Sequence, residues 1–254
     1  MNADIAAILS EWPYDPEAGL QVRRVEGADG RPLLQMRVDL GIIQMELRGR
    51  PDGVRPEGRA SLWDLYRERA EAYRAEHGWY EGFSLDSDAC SGLQQEALQH
   101  YHRRIACLAL QDFEQAIADA DHNLAILDML KAFAASRQDW WRSEQYRAFI
   151  LSQRIQAAAL QALKAEDLQG ALVTLRQGLA QIREVFLEQD REDEAEDSVE
   201  TEVLRDLQRK LTGQFGLSRR KRLEMLLDAA LRREDVDEVL DLRAQLREMD
   251  PADE

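Results

Sequence analysis

Two stretches of the chain carry the same apolar pattern 55 residues apart: Phe113, Ala116, Ile117, Ala120, Leu124 and Leu127 recur as Leu168, Ala171, Leu172, Leu175, Leu179 and Ile182. Steps of three and four residues place each set on one face of an α-helix. Asp112 recurs as Asp167 just ahead of each stripe, and Ile105 and Leu108, which close the preceding helix, recur as Leu160 and Leu163. An Asp at a helix start accepts hydrogen bonds from unpaired backbone N–H groups and favours the positive end of the helix dipole. Each unit therefore reads as helix, tight turn capped by Asp, helix. Hairpins of this kind bury a seam against one another, so the repeat predicts a mainly α fold with a helical-hairpin body.

Composition supports long helices. Beyond Gly92 the only glycines and prolines are Gly170, Gly178, Gly213, Gly216 and Pro251. The stretch Ala109-Leu110-Gln111-Asp112-Phe113-Glu114-Gln115-Ala116-Ile117-Ala118-Asp119 resembles the middle of a tetratricopeptide repeat, whose second helix opens on a similar acidic-aromatic turn and an Ala-rich stripe. That resemblance implies a protein-interaction scaffold, although the 55-residue spacing departs from the family's regular period.

The first ninety residues have a different period. Residues 2 to 10 read as a short helix with Asn2 as N-cap, ended at Trp12-Pro13 because proline pushes its predecessor out of the helical region. Leu20 to Val25, Leu33 to Val38 and Leu40 to Leu47 alternate partially and are rich in β-formers, and Gly27-Ala28-Asp29-Gly30 supplies a turn between the first two. These predict a small antiparallel sheet that needs a covering helix on one side. The breaker-rich loop from Gly49 to Gly58 follows. A helix is then expected from Ser61, paired with Asp64 as a capping box, to Gly78. Six aromatics between Trp63 and Phe83 read as packing between this helix and the sheet.

Residues 188 to 202 hold nine acidic side chains against the single Arg191, a density expected of a solvated linker. The expected organisation is an α+β cap over 1–90, hairpin repeats over 91–187, the linker 188–202, and C-terminal helices over 203–254.

Within that last segment, Leu223, Glu224, Leu227 and Ala230, the turn Glu234-Asp235-Val236, then Glu238, Val239, Leu242-Arg243, Leu246 and Met249 form an uninterrupted pattern. It resembles the UVR motif, the helical hairpin of the excinuclease subunits UvrB and UvrC and of bacterial protein-quality-control factors. The resemblance implies partner binding through Leu223, Leu227, Val236, Val239, Leu242, Arg243, Leu246 and Met249. The partner is expected to be another protein, through pairing of such hairpins or self-association. An accessory role beside a UvrB-like repair protein is a further implication.

Chemistry is harder to find. His100 and His102 point about 200° apart on one helix, so no shared metal is expected between them. Asp119, Asp121 and His122, with Arg103 or Arg104 from the preceding helix, are read as a structural salt-bridge cluster. Cys90 and Cys107 lie outside any Cys-x-x-Cys pair, and no phosphate-binding loop or nucleophile elbow occurs. The expectation is no catalytic residue, no metal and no cofactor. A formal charge of −16 opposes contact with phosphate backbones, so no direct nucleic-acid binding is expected. With no apolar run long enough to span a bilayer and no secretory leader, a cytoplasmic, non-membrane protein is expected. The leading expectation is thus a non-catalytic adaptor. The alternative is an enzyme holding an anion with the Arg48 to Arg59 loop, near the N-terminal sheet.

Overall fold

A computed structural model describes residues 4–248. The chain divides into two compact units, 1–147 and 148–254.

In the first unit, α1 (Ala6–Glu11) ends at Trp12 and leads into β1 (Gln21–Glu26), β2 (Pro32–Val38) and β3 (Gly41–Glu46). The three strands form an antiparallel sheet in the order β1-β2-β3, with Leu34 opposite Arg24 and Met45. Leu34, Met36 and Met45 are buried. The expected Asn2 cap lies outside the described residues.

Four helices complete the unit: α2 (Leu62–His77), α3 (Ser87–Ala109), α4 (Phe113–Phe133) and α5 (Arg137–Glu144). The Ser61 side chain accepts from the Asp64 N–H at 3.0 Å, and Gly78 closes α2 in the left-handed conformation, as the capping-box reading requires. The helix that lies on β2 is α3, whereas aromatic α2 packs on α3 and α4. This corrects the expected place of the aromatics: Trp63, Tyr66, Phe83, Phe133 and Trp140 gather on Leu85, Cys90, Leu93, Ile126 and Leu130, away from the sheet. Leu85 donates to Phe133 O at 2.7 Å and accepts from Ala135 N at 3.0 Å, joining the entry of α3 to the exit of α4.

The second unit consists of α6 (Arg147–Lys164), α7 (Leu168–Glu188), α8 (Val199–Gln214), α9 (Arg219–Arg232) and α10 (Val236–Glu248). One core joins Ile155, Ala159, Leu172, Leu175, Ile182, Leu204, Leu211, Leu226 and Leu242. Gly178 lets α7 press against α6, since a Cβ there would lie 2.4 Å from Ile155 Cγ2. The acidic stretch 188–202 does not act as the expected linker. Ala195 is buried in that core, Arg183 and Arg205 pair with Glu192 and Glu196, and Ser198 caps α8. Cations supplied by neighbouring helices offset the repulsion that composition suggested.

The hairpin turns share one geometry. Gln111, Glu166 and Glu234 all have positive φ, and the next residue, Asp112, Asp167 or Asp235, donates its N–H five residues back, to Cys107, Ala162 or Ala230 O. Each Asp side chain then accepts the N–H of Gln115, Gly170 or Glu238. This is a Schellman-type stop joined directly to an Asp N-cap. The left-handed conformation costs a residue with a Cβ roughly 1–2 kcal/mol, and glycine far less. Glu166→Gly is therefore expected to stabilise the chain by about 0.5–1 kcal/mol in urea denaturation, net of glycine's greater freedom when unfolded.

Candidate functional site

Polar residues at helical spacing face each other across the α3–α4 hairpin. Glu96, His100 and Arg103 follow one face of α3, while Gln115, Asp119 and His122 follow one face of α4. All but His122 are buried. A polar stripe inside a helix pair is costly unless its members satisfy one another.

Asp119 is the hub. Arg103 donates to it from Nε at 3.0 Å and from Nη2 at 2.6 Å, Gln115 donates at 3.0 Å, and His100 Nδ1 lies 2.9 Å away. Arg103 also donates Nη1 to the carbonyls of Glu46 and Gly49, at 3.0 and 2.7 Å, which ties the end of β3 to the hairpin. Burial acts to raise the Asp119 pKa, but the hydrogen bonds from His100 and Arg103 outweigh it and hold the carboxyl below its ordinary range. Burial dominates at His100 and lowers its pKa, favouring the neutral ring.

A second carboxylate sits above the first. Glu96 accepts the backbone N–H groups of Leu62 at 2.7 Å and Trp63 at 3.2 Å, so it also serves the start of α2. Its Oε1 lies 2.9 Å from His122 Nε2, and Arg50 Nε approaches its other oxygen at 3.6 Å. Burial pushes the Glu96 pKa up, and the hydrogen bonds from His122, Leu62 and Trp63 more than reverse this. The imidazoles of His100 and His122 stack with centroids 4.0 Å apart. His100 Nε2 is buried with no hydrogen-bond partner. Ligand atoms of Glu96, His100 and His122 lie within 4.8 Å of one another.

The expected pairing of Arg103 with Asp119 is present, and His122 belongs to the same cluster. Asp121 is exposed on the outer side of α4, and Arg104 is buried with its guanidinium over the Tyr101 ring. Glu96 and Gln115 are not among the residues expected from the sequence, and spacing along one helix does not reveal that His100 meets His122 across the turn. Their signal was present: 96, 100 and 103 on one helix, 115, 119 and 122 on the next. The thiols are buried, which pushes Cys90 up to about 11 and Cys107 to about 12 and leaves them protonated.

Beside the cluster, the loop after β3 forms a cleft of about 170 Å³ lined by Arg31, Arg48, Arg50 and Arg55 with Glu46. Arg48 bonds the Gln115 amide, Arg50 pairs with Asp52, and Arg55 makes no ion pair among the described residues.

The residues expected to bind a partner are in the second unit. Leu223, Val239 and Leu242 are buried in its core, and Leu227 and Leu246 pack against it. Arg243 is exposed, Val236 is 68% exposed, and Met249 lies outside the described residues. The hairpin is anchored by Arg176, which pairs with Glu238 at 3.2 Å and Asp241 at 2.5 Å, and by Gln169, which donates to Met225 O at 2.7 Å. At its tip Leu231 and Leu240 are also exposed, at 48% and 60%.

Among the described residues no helix is long and apolar enough to cross a membrane. No protein-family model, curated protein or solved structure matches the chain.

Removing the hub of the buried cluster leaves Arg103 without a counter-ion, a change that typically costs roughly 3–5 kcal/mol. Asp119→Ala is expected to destabilise the protein on that scale in urea denaturation. Asp121→Ala, on the exposed side of the same helix, is expected to cost less than about 1 kcal/mol.

Proposed function

We propose that this chain is a protein-binding adaptor whose C-terminal hairpin pairs with a helical hairpin of another chain. The supporting observation is the tip of α9–α10, where Leu231, Val236 and Leu240 are exposed while the inner seam is already filled. Val236 and Leu240 are one helical turn apart and so share a face of α10. Isolated exposed apolar residues are ordinary on protein surfaces, but three at one hairpin end offer a small apolar patch to a partner. The resemblance to the UVR motif points to a hairpin as that partner. In this reading the contact moves from the seam residues to the tip, with Arg243 at the rim.

Deletion of the hairpin is a poor test, because it would strip Leu223, Leu226 and Leu242 from the core. Paired Val236→Asp and Leu240→Asp substitutions alter only exposed positions. Each apolar side chain withheld from an interface forfeits roughly 1.5–3 kcal/mol, so the double variant should weaken pairing at least about 100-fold. Sedimentation equilibrium of the full chain, alone and mixed with a purified UvrB-type hairpin, reads this directly. Unchanged association in the variant, or no association of the wild type with itself or with that hairpin, overturns the proposal.

A second reading, an anion site, is favoured by the four arginines around the cleft after β3 in a chain of net charge −16. A charge-assisted hydrogen bond contributes about 1.5–3 kcal/mol. Titration with inorganic phosphate at low salt should therefore show saturable binding, weakened about tenfold or more by Arg55→Ala. Absence of saturable binding to the wild type eliminates this reading.

A further inference from the structure

We propose that Glu96, His100 and His122 form a binding site for a divalent transition-metal ion of the zinc class, with Asp119 orienting His100. The donor set is two imidazoles and one carboxylate, which suits zinc and its first-row neighbours rather than calcium or magnesium. The donors come from facing turns of two packed helices, a placement that holds them on rigid backbone.

Three observations carry the inference. First, the ligand atoms lie within 4.8 Å of one another, and reaching the ~2.0–2.2 Å bond lengths of zinc requires the His122 ring to turn out of its stack on His100. Second, His100 is oriented as metal-bound histidines are: Nδ1 lies 2.9 Å from the Asp119 carboxylate, leaving Nε2 directed elsewhere. That Nε2 is buried and has no hydrogen-bond partner. An unsatisfied buried nitrogen is destabilising, and a metal bond would satisfy it. Third, a helical hairpin of this kind closes without the two imidazoles. In the copy 55 residues on, Glu96, His100 and Arg103 are replaced by Leu151, Ile155 and Ala158, and Asp119, His122 and Asn123 by Thr174, Gln177 and Gly178. There Ile155 packs directly on Gly178, and the hairpin closes on apolar contacts. In the polar version Arg103, Asp119 and Glu96 fasten β3 and α2 to the hairpin, whereas the two histidines have no such attachment to make.

The surroundings fit an ion. Glu96 is held by the backbone N–H groups of Leu62 and Trp63 on its flank, and its Oε1 already faces His122. His122 is 18% exposed and gives an approach from solvent, while Glu96 is fully buried. Arg50 approaches Glu96 at 3.6 Å and Arg103 pairs with Asp119 at 2.6 Å. Displacing the His122 hydrogen bond from Glu96 requires only that the ring carry its proton on Nδ1.

The full-length protein, stripped with a chelator and titrated calorimetrically with Zn²⁺ alone, should bind one ion at micromolar affinity or tighter. His122→Ala and Glu96→Gln should each weaken binding at least about 100-fold. Asp119→Asn, which retains bulk and a hydrogen-bond partner for His100, should weaken it about 10–100-fold. Zn²⁺ should raise the melting temperature of the wild type and leave that of His122→Ala unchanged. Circular dichroism identifies any variant that has lost its fold, and Glu96→Gln retains an oxygen for the backbone donors. Co²⁺ should give visible d–d bands without a thiolate charge-transfer band. Failure of the folded wild type to bind Zn²⁺, equal affinity in folded variants, or a thiolate band implicating Cys90 or Cys107 overturns the site.

Discussion

The ion pair between Arg103 and Asp119 is the constraint around which the first unit is organised. Both side chains are buried, and each offsets the cost of burying the other's charge. Arg103 then spends its remaining donor on the carbonyls that end β3 and open the next loop. A sheet of three short strands has little stability of its own. Here it is attached to the helices by apolar contact of β2 with α3 and by this guanidinium. Glu96 performs the matching task on the other side, accepting the first N–H groups of α2. Two buried charges on one helix thus fix where the sheet ends and where α2 begins.

The parts legible in the sequence were those governed by local rules. The stop-and-cap turn at Gln111-Asp112 and Glu166-Asp167 follows from backbone chemistry within six residues, and the Asp at equal spacing revealed it. The same turn at Glu234-Asp235 could be read from its acidic pair. Strands were recoverable because turn residues bracket them. Less legible was anything dependent on which surfaces meet. Composition alone suggested that 188–202 would be solvated, yet Ala195 anchors it and arginines from α7 and α8 neutralise it. Of the six aromatics from Trp63 to Phe83, Trp63, Tyr66 and Phe83 pack on the α3–α4 core while Trp79 and Tyr80 are exposed, and α3 rather than α2 covers the sheet.

The polar stripe lies between these cases. Its members follow helical spacing as strictly as the apolar set does, but polar residues at such spacing ordinarily describe a solvated face. Only the interleaving of Glu96, His100 and Arg103 with Leu93 and Cys107 marks that face as internal, because a single helical face then carries both kinds of residue. Comparison of the two hairpins sharpens the contrast: the positions of Glu96, His100 and Arg103 hold Leu151, Ile155 and Ala158 in the other copy, and those of Asp119 and His122 hold the uncharged Thr174 and Gln177.

The short bridge at Leu85 changes how the first hairpin can move. Its two amide hydrogen bonds join the residue ahead of α3 to those after α4, while the Asp112 turn joins the same helices at the opposite end. The pair is thereby a closed ring of chain, without a free end from which to unzip. Small local opening at either terminus is resisted by the other, and the imidazoles and carboxylates between them are held in register by the turn at one end and these two hydrogen bonds at the other.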